Sequence, residues 1–151
     1  MSRAQCIVHR KNRILMVKQK YSKDDHEFWC LPGGAIEEGE TPEEAAIREL
    51  KEECCVNGTI VRETGVYVNV PDSKHLRIHT FLVEIGSQEP RLGTDPEKPL
   101  PKQGLIDIQW LRLSEIPERD RAYLWAAGLL GIEEFKTEAN IWGDSISYPQ
   151  P

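Results

Sequence analysis

The chain lacks any apolar run of membrane-spanning length, any internal repeat and any low-complexity tract. Its cysteines, 4 among 151 residues, contain no C-x-x-C pair. Each absence removes a class of protein. Without about 20 consecutive apolar residues there is no transmembrane helix. The first residues, MSRAQCIVHRK, are polar where a signal peptide needs an apolar centre, so a cytoplasmic protein is expected. Without C-x-x-C, a zinc ribbon or thioredoxin motif has no basis. Adjacent Cα atoms sit about 3.8 Å apart, short of the roughly 4.4–6.8 Å that a disulfide spans. Cys54 and Cys55 are therefore not joined, and free thiols are expected in a reducing compartment for these two, Cys6 and Cys30. Basic charge is also short: 19 Lys and Arg against 25 Asp and Glu leave a net −6. That surface suits neither duplex nucleic acid nor an anionic membrane, both of which select a basic face.

What is present reads as one soluble domain. Apolar residues at 39% and charged residues at 29% are ordinary for a globular protein. The length suffices for a core without staples. We place a single domain over residues 1–136 and a tail of unassigned structure over 137–151. Ala4–His9 and Ile14–Lys18 are β-leaning runs joined by the polar turn Arg10–Arg13, a hairpin. Phe28–Leu31 reads as a short strand that Pro32-Gly33-Gly34 breaks. Thr59–Val70, Leu76–Ile85 and Leu105–Leu111 read as further strands. Arg121 to about Phe135 reads as a second helix, after a turn at Ser114–Pro117. The Pro- and Gly-rich stretch between Gly86 and Gly104 is long for a connection and has the look of a functional loop. Strands mixed with two separate helices give an α/β (α+β) sandwich.

The clearest helix runs from Pro42 to Cys54. Thr41 supplies the N-cap, Pro42 suits the first helical position, and Glu44 completes a capping box. At about 100° per residue, Ala46, Ile47, Leu50 and Cys54 share the core face. Glu49, Glu52 and Glu53 crowd a neighbouring arc at i, i+3, i+4 spacing, where like charges repel by a few tenths of a kcal/mol per pair. A divalent cation would turn that repulsion into attraction. Oxygen-only donors select hard Mg²⁺ or Mn²⁺ over zinc or copper. The bland alternative is a solvated acidic face balanced by Arg48 and Lys51.

Upstream lies the glycine-rich Gly33-Gly34-Ala35-Ile36-Glu37-Glu38-Gly39-Glu40. Gly34, Glu40, Arg48-Glu49-Leu50, Glu52-Glu53 and Val56, in that spacing, resemble the Nudix box, G-x5-E-x7-R-E-U-x-E-E-x-G-U with U aliphatic. Only the last glycine differs; Cys55 stands there. Trp29 to Gly34 is similar to the usual approach to the box, and Ile108–Leu111 with Glu115–Pro117 to the family's later strand and turn. The likeness covers Gln5 to about Phe135.

The resemblance implies an α/β/α sandwich around a central mixed β-sheet. It also implies hydrolysis of a pyrophosphate linkage in a nucleoside diphosphate joined to another group, by water attack with Mg²⁺ or Mn²⁺. The substrate would be nucleotide-sugar or ADP-ribose-like, or a (deoxy)nucleoside triphosphate. Glu49, Glu52 and Glu53 would ligate metal together with the Gly33 carbonyl, Arg48 would orient the carboxylates, and Glu40 would tie loop to helix. Glu49 is the first choice of general base, with Glu53 and Arg48 completing the catalytic set. Glu97 is the alternative base, on the long loop. Lys18, Lys20 and Arg77 are candidates for contact with substrate, Trp29, Tyr67 and Trp110 for stacking on a base. Each of these has an ordinary reading as a solvated charge or a core aromatic. His75 and His79, four apart on a strand, would lie about 13 Å from one another, too far to share an ion. Pro71 stands about where the ADP-ribose-cleaving branch often has a proline, in a turn that favours proline anyway. Many relatives are homodimers, so a dimer stays open. The competing reading is a Nudix module that binds a nucleotide without cleaving it, against which the intact Arg48-Glu49 and Glu52-Glu53 set argues.

Overall fold

The structure, a computed structural model, describes residues 2–20, 26–69, 76–93 and 104–139. Glu97, Pro71, His75 and the tail beyond residue 139 lie outside these. The described elements, in chain order, are β1 (Arg3–Ile7), β2 (His9–Arg10), β3 (Arg13–Lys20), β4 (Glu27–Cys30), β5 (Gly33–Ala35), α1 (Pro42–Cys54), β6 (Thr59–Asn69), β7 (Leu76–Glu84) and β8 (Leu105–Leu111). A 3₁₀ turn (Leu113–Glu115), α2 (Glu118–Ala126), another 3₁₀ turn (Leu129–Gly131) and α3 (Glu133–Ala139) complete them.

Two four-stranded sheets form. One has the order β5-β1-β7-β6, with β1 and β7 parallel and the other pairs antiparallel. In the other, β3 pairs antiparallel with β8 along one edge and with β2 and then β4 along the other. The β2–β3 hairpin closes through Lys11 and Asn12, both at positive φ (49° and 68°), the signature of a type I′ turn.

The middle of β3, Ile14–Val17, and of β7, Phe81–Val83, is buried on both faces, which is why these stretches read as runs rather than alternations. Ala4, Cys6 and Val8, Leu15 and Val17, and Phe81 and Val83 pack with Ala45, Ala46, Leu50 and Cys54 of α1. Ile7, Ile14, Met16 and Leu82 point the other way, into a core with Leu124, Leu129, Ile132 and Phe135. Helices thus cover both sides of the sheets, as the expected sandwich requires.

Two local expectations need correction. Gly33–Ala35 is a strand, since Arg3, Ala4 and Gln5 of β1 pair with it; a glycine-rich trio carries no strand signal of its own. The single helix expected from Arg121 to Phe135 is broken. Gly128 takes φ 93°, and any Cβ there would run into the Thr64 carbonyl of β6. The Thr64 hydroxyl donates to Ala127 O at 2.9 Å, fixing that close approach. By contrast α1 runs from Pro42 to Cys54, the bounds read from the sequence. Cys55 itself takes the left-handed conformation (φ 59°, ψ 33°), and its N–H bonds Lys51 O at 3.0 Å.

Candidate active site

The site is assembled where β5 meets α1. The helix starts as the sequence predicts: the Thr41 hydroxyl accepts the Glu44 N–H at 3.1 Å, with Pro42 in the first turn. Its core face is nailed down by Ala45, Ala46, Leu50 and Cys54, all fully buried. The rotation of the helix about its own axis is therefore fixed, and the glutamates beside that face must look toward β5.

Gly34 shows how tightly they do. A Cβ on Gly34 would overlap the Glu49 carboxylate, so the absent side chain is the space Glu49 occupies. Glu49 is 5% exposed. One residue earlier, the Gly33 N–H donates to Glu53 Oε1 at 3.1 Å. A Cβ on Gly33 would strike the β1 backbone and Gln5. Glu49 and Glu53 thus rest over adjacent residues of one short strand.

Arg48 gathers the rest. Its Nε and Nη2 donate to the two oxygens of Glu40 at 2.7 and 3.0 Å, a bidentate fork. Nη1 donates to Glu49 at 2.9 Å and lies 3.3 Å from Glu52 Oε2, while Nη2 also reaches Ala35 O at 2.9 Å. Three carboxylates therefore converge on one guanidinium. Glu40 additionally accepts the Glu37 N–H at 3.0 Å, in a turn that Gly39 permits with φ 81°. The Arg48 hydrogen bonds hold the Glu40 carboxyl below its ordinary range, and those from Glu40 push the guanidinium further up.

Three thiols lie on the inner side of this cluster. Burial raises Cys6, Cys30 and Cys54, helped by the nearby Glu53 charge, Cys30 to about 12. Cys55 is exposed. All four cysteines are free, as expected.

Other candidates scatter. Lys18 pairs with Glu27 at 3.0 Å and lies over the Trp29 ring at 5.4 Å, on one wall of a cleft of about 500 Å³. Pro117, Arg119 and Asp120 also line it. Asp120, 4% exposed, accepts the Trp29 N–H at 3.0 Å. Arg119 donates to Glu27 O at 2.8 Å. Sequence reasoning missed Asp120 because an acid in the first turn of a helix looks like dipole decoration. Lys20 is exposed at the end of β3, where its N–H bonds Gly104 O at 2.7 Å. Arg77 is exposed on β7 opposite Val68. His79 contacts Glu63 at 3.3 Å. Trp110 packs against the α1-side core beneath Arg10, 4.8 Å from its centroid, and Tyr67 is partly buried.

A two-faced sandwich carrying an arginine-centred acidic loop and helix defines a known class. The chain matches the family model of the NUDIX domain over residues 2–130 and belongs to that family. It is 35% identical over 95 residues to an ADP-ribose pyrophosphatase of Methanocaldococcus jannaschii (61% of this chain, 55% of that protein). It is 36% identical over 86 residues to diphosphoinositol polyphosphate phosphohydrolase 3-alpha of Mus musculus (55% and 50%). The chain spans about half the length of these curated relatives. Among solved structures it superposes on the MutT NUDIX hydrolase from Burkholderia pseudomallei with TM-score 0.64 at 24% identity, covering 83% of this chain and 95% of that one. Among the described residues no helix is long and apolar enough to cross a membrane.

Proposed function

We propose that this chain is a divalent-metal-dependent Nudix pyrophosphohydrolase that cleaves a nucleoside diphosphate linked to another moiety. The observation that carries this reading is the convergence of Glu40, Glu49 and Glu52 on Arg48, with Glu53 alongside on Gly33. So many carboxylates kept together, one of them buried, are costly unless a cation joins them. Among the described residues no three acidic, imidazole or thiol groups form a ready cage; in this arrangement Arg48 engages Glu49 and Glu52. The donors nonetheless fit a hard cation, being carboxylates, with Glu53 held on the Gly33 N–H and the space above Gly34 already given to Glu49. Glu49, Glu52, Glu53 and the Gly33 carbonyl would hold Mg²⁺ or Mn²⁺.

When bound, such a cation neutralises charge on the phosphoryl oxygens and acidifies water. The chain's own residues supply the rest. Arg48 orients Glu49 and Glu52 through charge-assisted hydrogen bonds, and Glu40 ties the loop to that same arginine. Glu49, buried and pressed on Gly34, is our general base, accepting a proton from the attacking water at its carboxylate. Glu97 is the alternative. The cleft between Lys18–Trp29 and Asp120 has the size of a small-molecule site and begins four residues before Gly33, so we assign it to the nucleoside. Trp29 offers a stacking face there and Lys18 a cation.

The test is phosphate release from ADP-ribose, nucleotide sugars, (deoxy)nucleoside triphosphates and a diphosphoinositol polyphosphate, with and without Mg²⁺ or Mn²⁺. Metal-dependent turnover of one member is expected, and Glu53→Gln should abolish it while leaving the melting temperature intact. No turnover on any member would favour a nucleotide-binding module, and full activity in Glu53→Gln would remove that residue from the site.

A further inference from the structure

The end of α1 is an awkward place for two carboxylates. The last four carbonyls of a helix have no partner within it, and that end carries roughly half a negative charge. Glu52 and Glu53 add two full negative charges in the same turn. The chain answers from a distance. Gly93 donates its N–H to Glu53 O at 2.8 Å, and Arg91 donates its N–H to Cys54 O at 3.0 Å. Contact at Gly93 is so close that a Cβ there would overlap the Glu52 carbonyl.

The segment that delivers these donors is itself fastened. The Gln88 side chain accepts the Asn57 N–H at 2.9 Å and donates to Asn57 O and Ile85 O at 2.8 and 2.7 Å. Arg10 donates to Gly86 O and Gln88 O at 2.7 and 2.8 Å, braced by its stacking over Trp110. Two backbone bonds thus reach the helix end, and the side chains of Gln88 and Arg10 fix the segment that makes them.

We propose that residues 86–93 form a strap that positions Glu52 and Glu53 for cation binding, with Gly93 as its critical contact. The proposal rests on the reading that these glutamates hold a divalent cation. The strap works through the backbone: it supplies N–H donors to the Glu53 and Cys54 carbonyls and packs Gly93 against the Glu52 carbonyl, which fixes the last turn of the helix. A side chain at position 93 must push the Glu52 peptide away and carry its carboxylate along. Gly93 and Gln88 are thus positioning residues, not catalytic ones.

Mn²⁺ affinity, measured calorimetrically on the full chain without substrate, tests this apart from turnover. Groups that orient metal ligands are typically worth about 10- to 100-fold in affinity. Gly93→Ala should weaken Mn²⁺ binding by about tenfold or more, and Gln88→Ala, which loosens the strap remotely and leaves every buried group in place, severalfold. Adding Cys55→Gly, which relieves the left-handed strain at the same helix end, should recover melting temperature in either variant without recovering affinity. Wild-type affinity in a folded Gly93→Ala or Gln88→Ala variant would overturn the strap alone. So would recovery of affinity together with stability. A wild type that binds no Mn²⁺ would overturn the metal reading and the strap together.

Discussion

Replacing Arg48 by methionine would keep the aliphatic stem and delete the guanidinium on which three carboxylates depend. The loss includes the fork to Glu40, the 2.9 Å bond to Glu49 and the 2.9 Å bond to Ala35 O. Glu49 and Glu40 side chains are 7% and 13% exposed and Arg48 24%, so water replaces little of this. Removing one partner from a buried ion pair costs about 3–5 kcal/mol. Glu52 and the rim of Arg48 remain partly wet, which places the expectation at the lower end, about 3 kcal/mol. For a domain of this size that is a fall of about 6–12 °C in melting temperature. The assay is a thermal melt followed by circular dichroism at neutral pH in EDTA, then in excess Mg²⁺. Because the variant leaves the carboxylates facing one another uncompensated, Mg²⁺ should stabilise it by more degrees than it stabilises the wild type, a cation replacing a cation. A fall of less than about 2 °C in EDTA would show that Arg48 carries little of the cluster's cost. An equal Mg²⁺ increment in both proteins would refute the idea that metal and guanidinium answer the same charge.

Gly34→Ala should fold, since Gly34 does not sit at the positive φ that alanine resists, yet lose turnover by at least about 100-fold because its Cβ claims the place of the Glu49 carboxylate; wild-type kcat in that variant would show that Glu49 has room elsewhere. Cys55→Gly should raise the melting temperature by about 2–4 °C, the left-handed conformation costing a side chain roughly 1 kcal/mol. No gain would mean that the cap is unstrained. Stability should also fall in alkali. The folded thiols of Cys6, Cys30 and Cys54 are raised, so their contribution is full below the unfolded thiol value of about 8.5 and is lost as pH rises toward the folded values, about 12 for Cys30. A urea midpoint that stays flat from about pH 8 to about 10.5, in reductant, would contradict this.

The parts legible in the sequence were those set by short-range rules. Thr41, Pro42 and Glu44 fix the start of α1 through capping, and the observed helix begins and ends where those signals and the apolar arc place it. The acidic arc followed from helical geometry, and its spacing from Gly34 carried the family. Hidden were the features set by contacts between distant segments. Gly33–Ala35 is a strand only because β1 lies beside it, and Gly128 breaks a helix only because Thr64 sits against it. Cys55 stands where the box has glycine, and the sequence could not show the bonds that Arg91 and Gly93 bring to that helix end from nearly forty residues on. Asp120 is unremarkable until the Trp29 N–H is seen to need an acceptor.

The pairing of β3 bears on how the chain is made. Ile14-Leu15-Met16-Val17 leaves the ribosome as an unbroken apolar run, all four residues destined for full burial. Its hairpin partner β2 has just been made, but Ile14 pairs with Leu111 on its other side, and Arg3 of β1 waits for Ile78. At about 5–20 residues per second, several seconds of translation separate these halves. Through that interval an open strand edge of the most aggregation-prone composition stands without its partner. Expression yield should therefore depend on chaperone supply and on synthesis temperature more than the finished fold's stability would suggest.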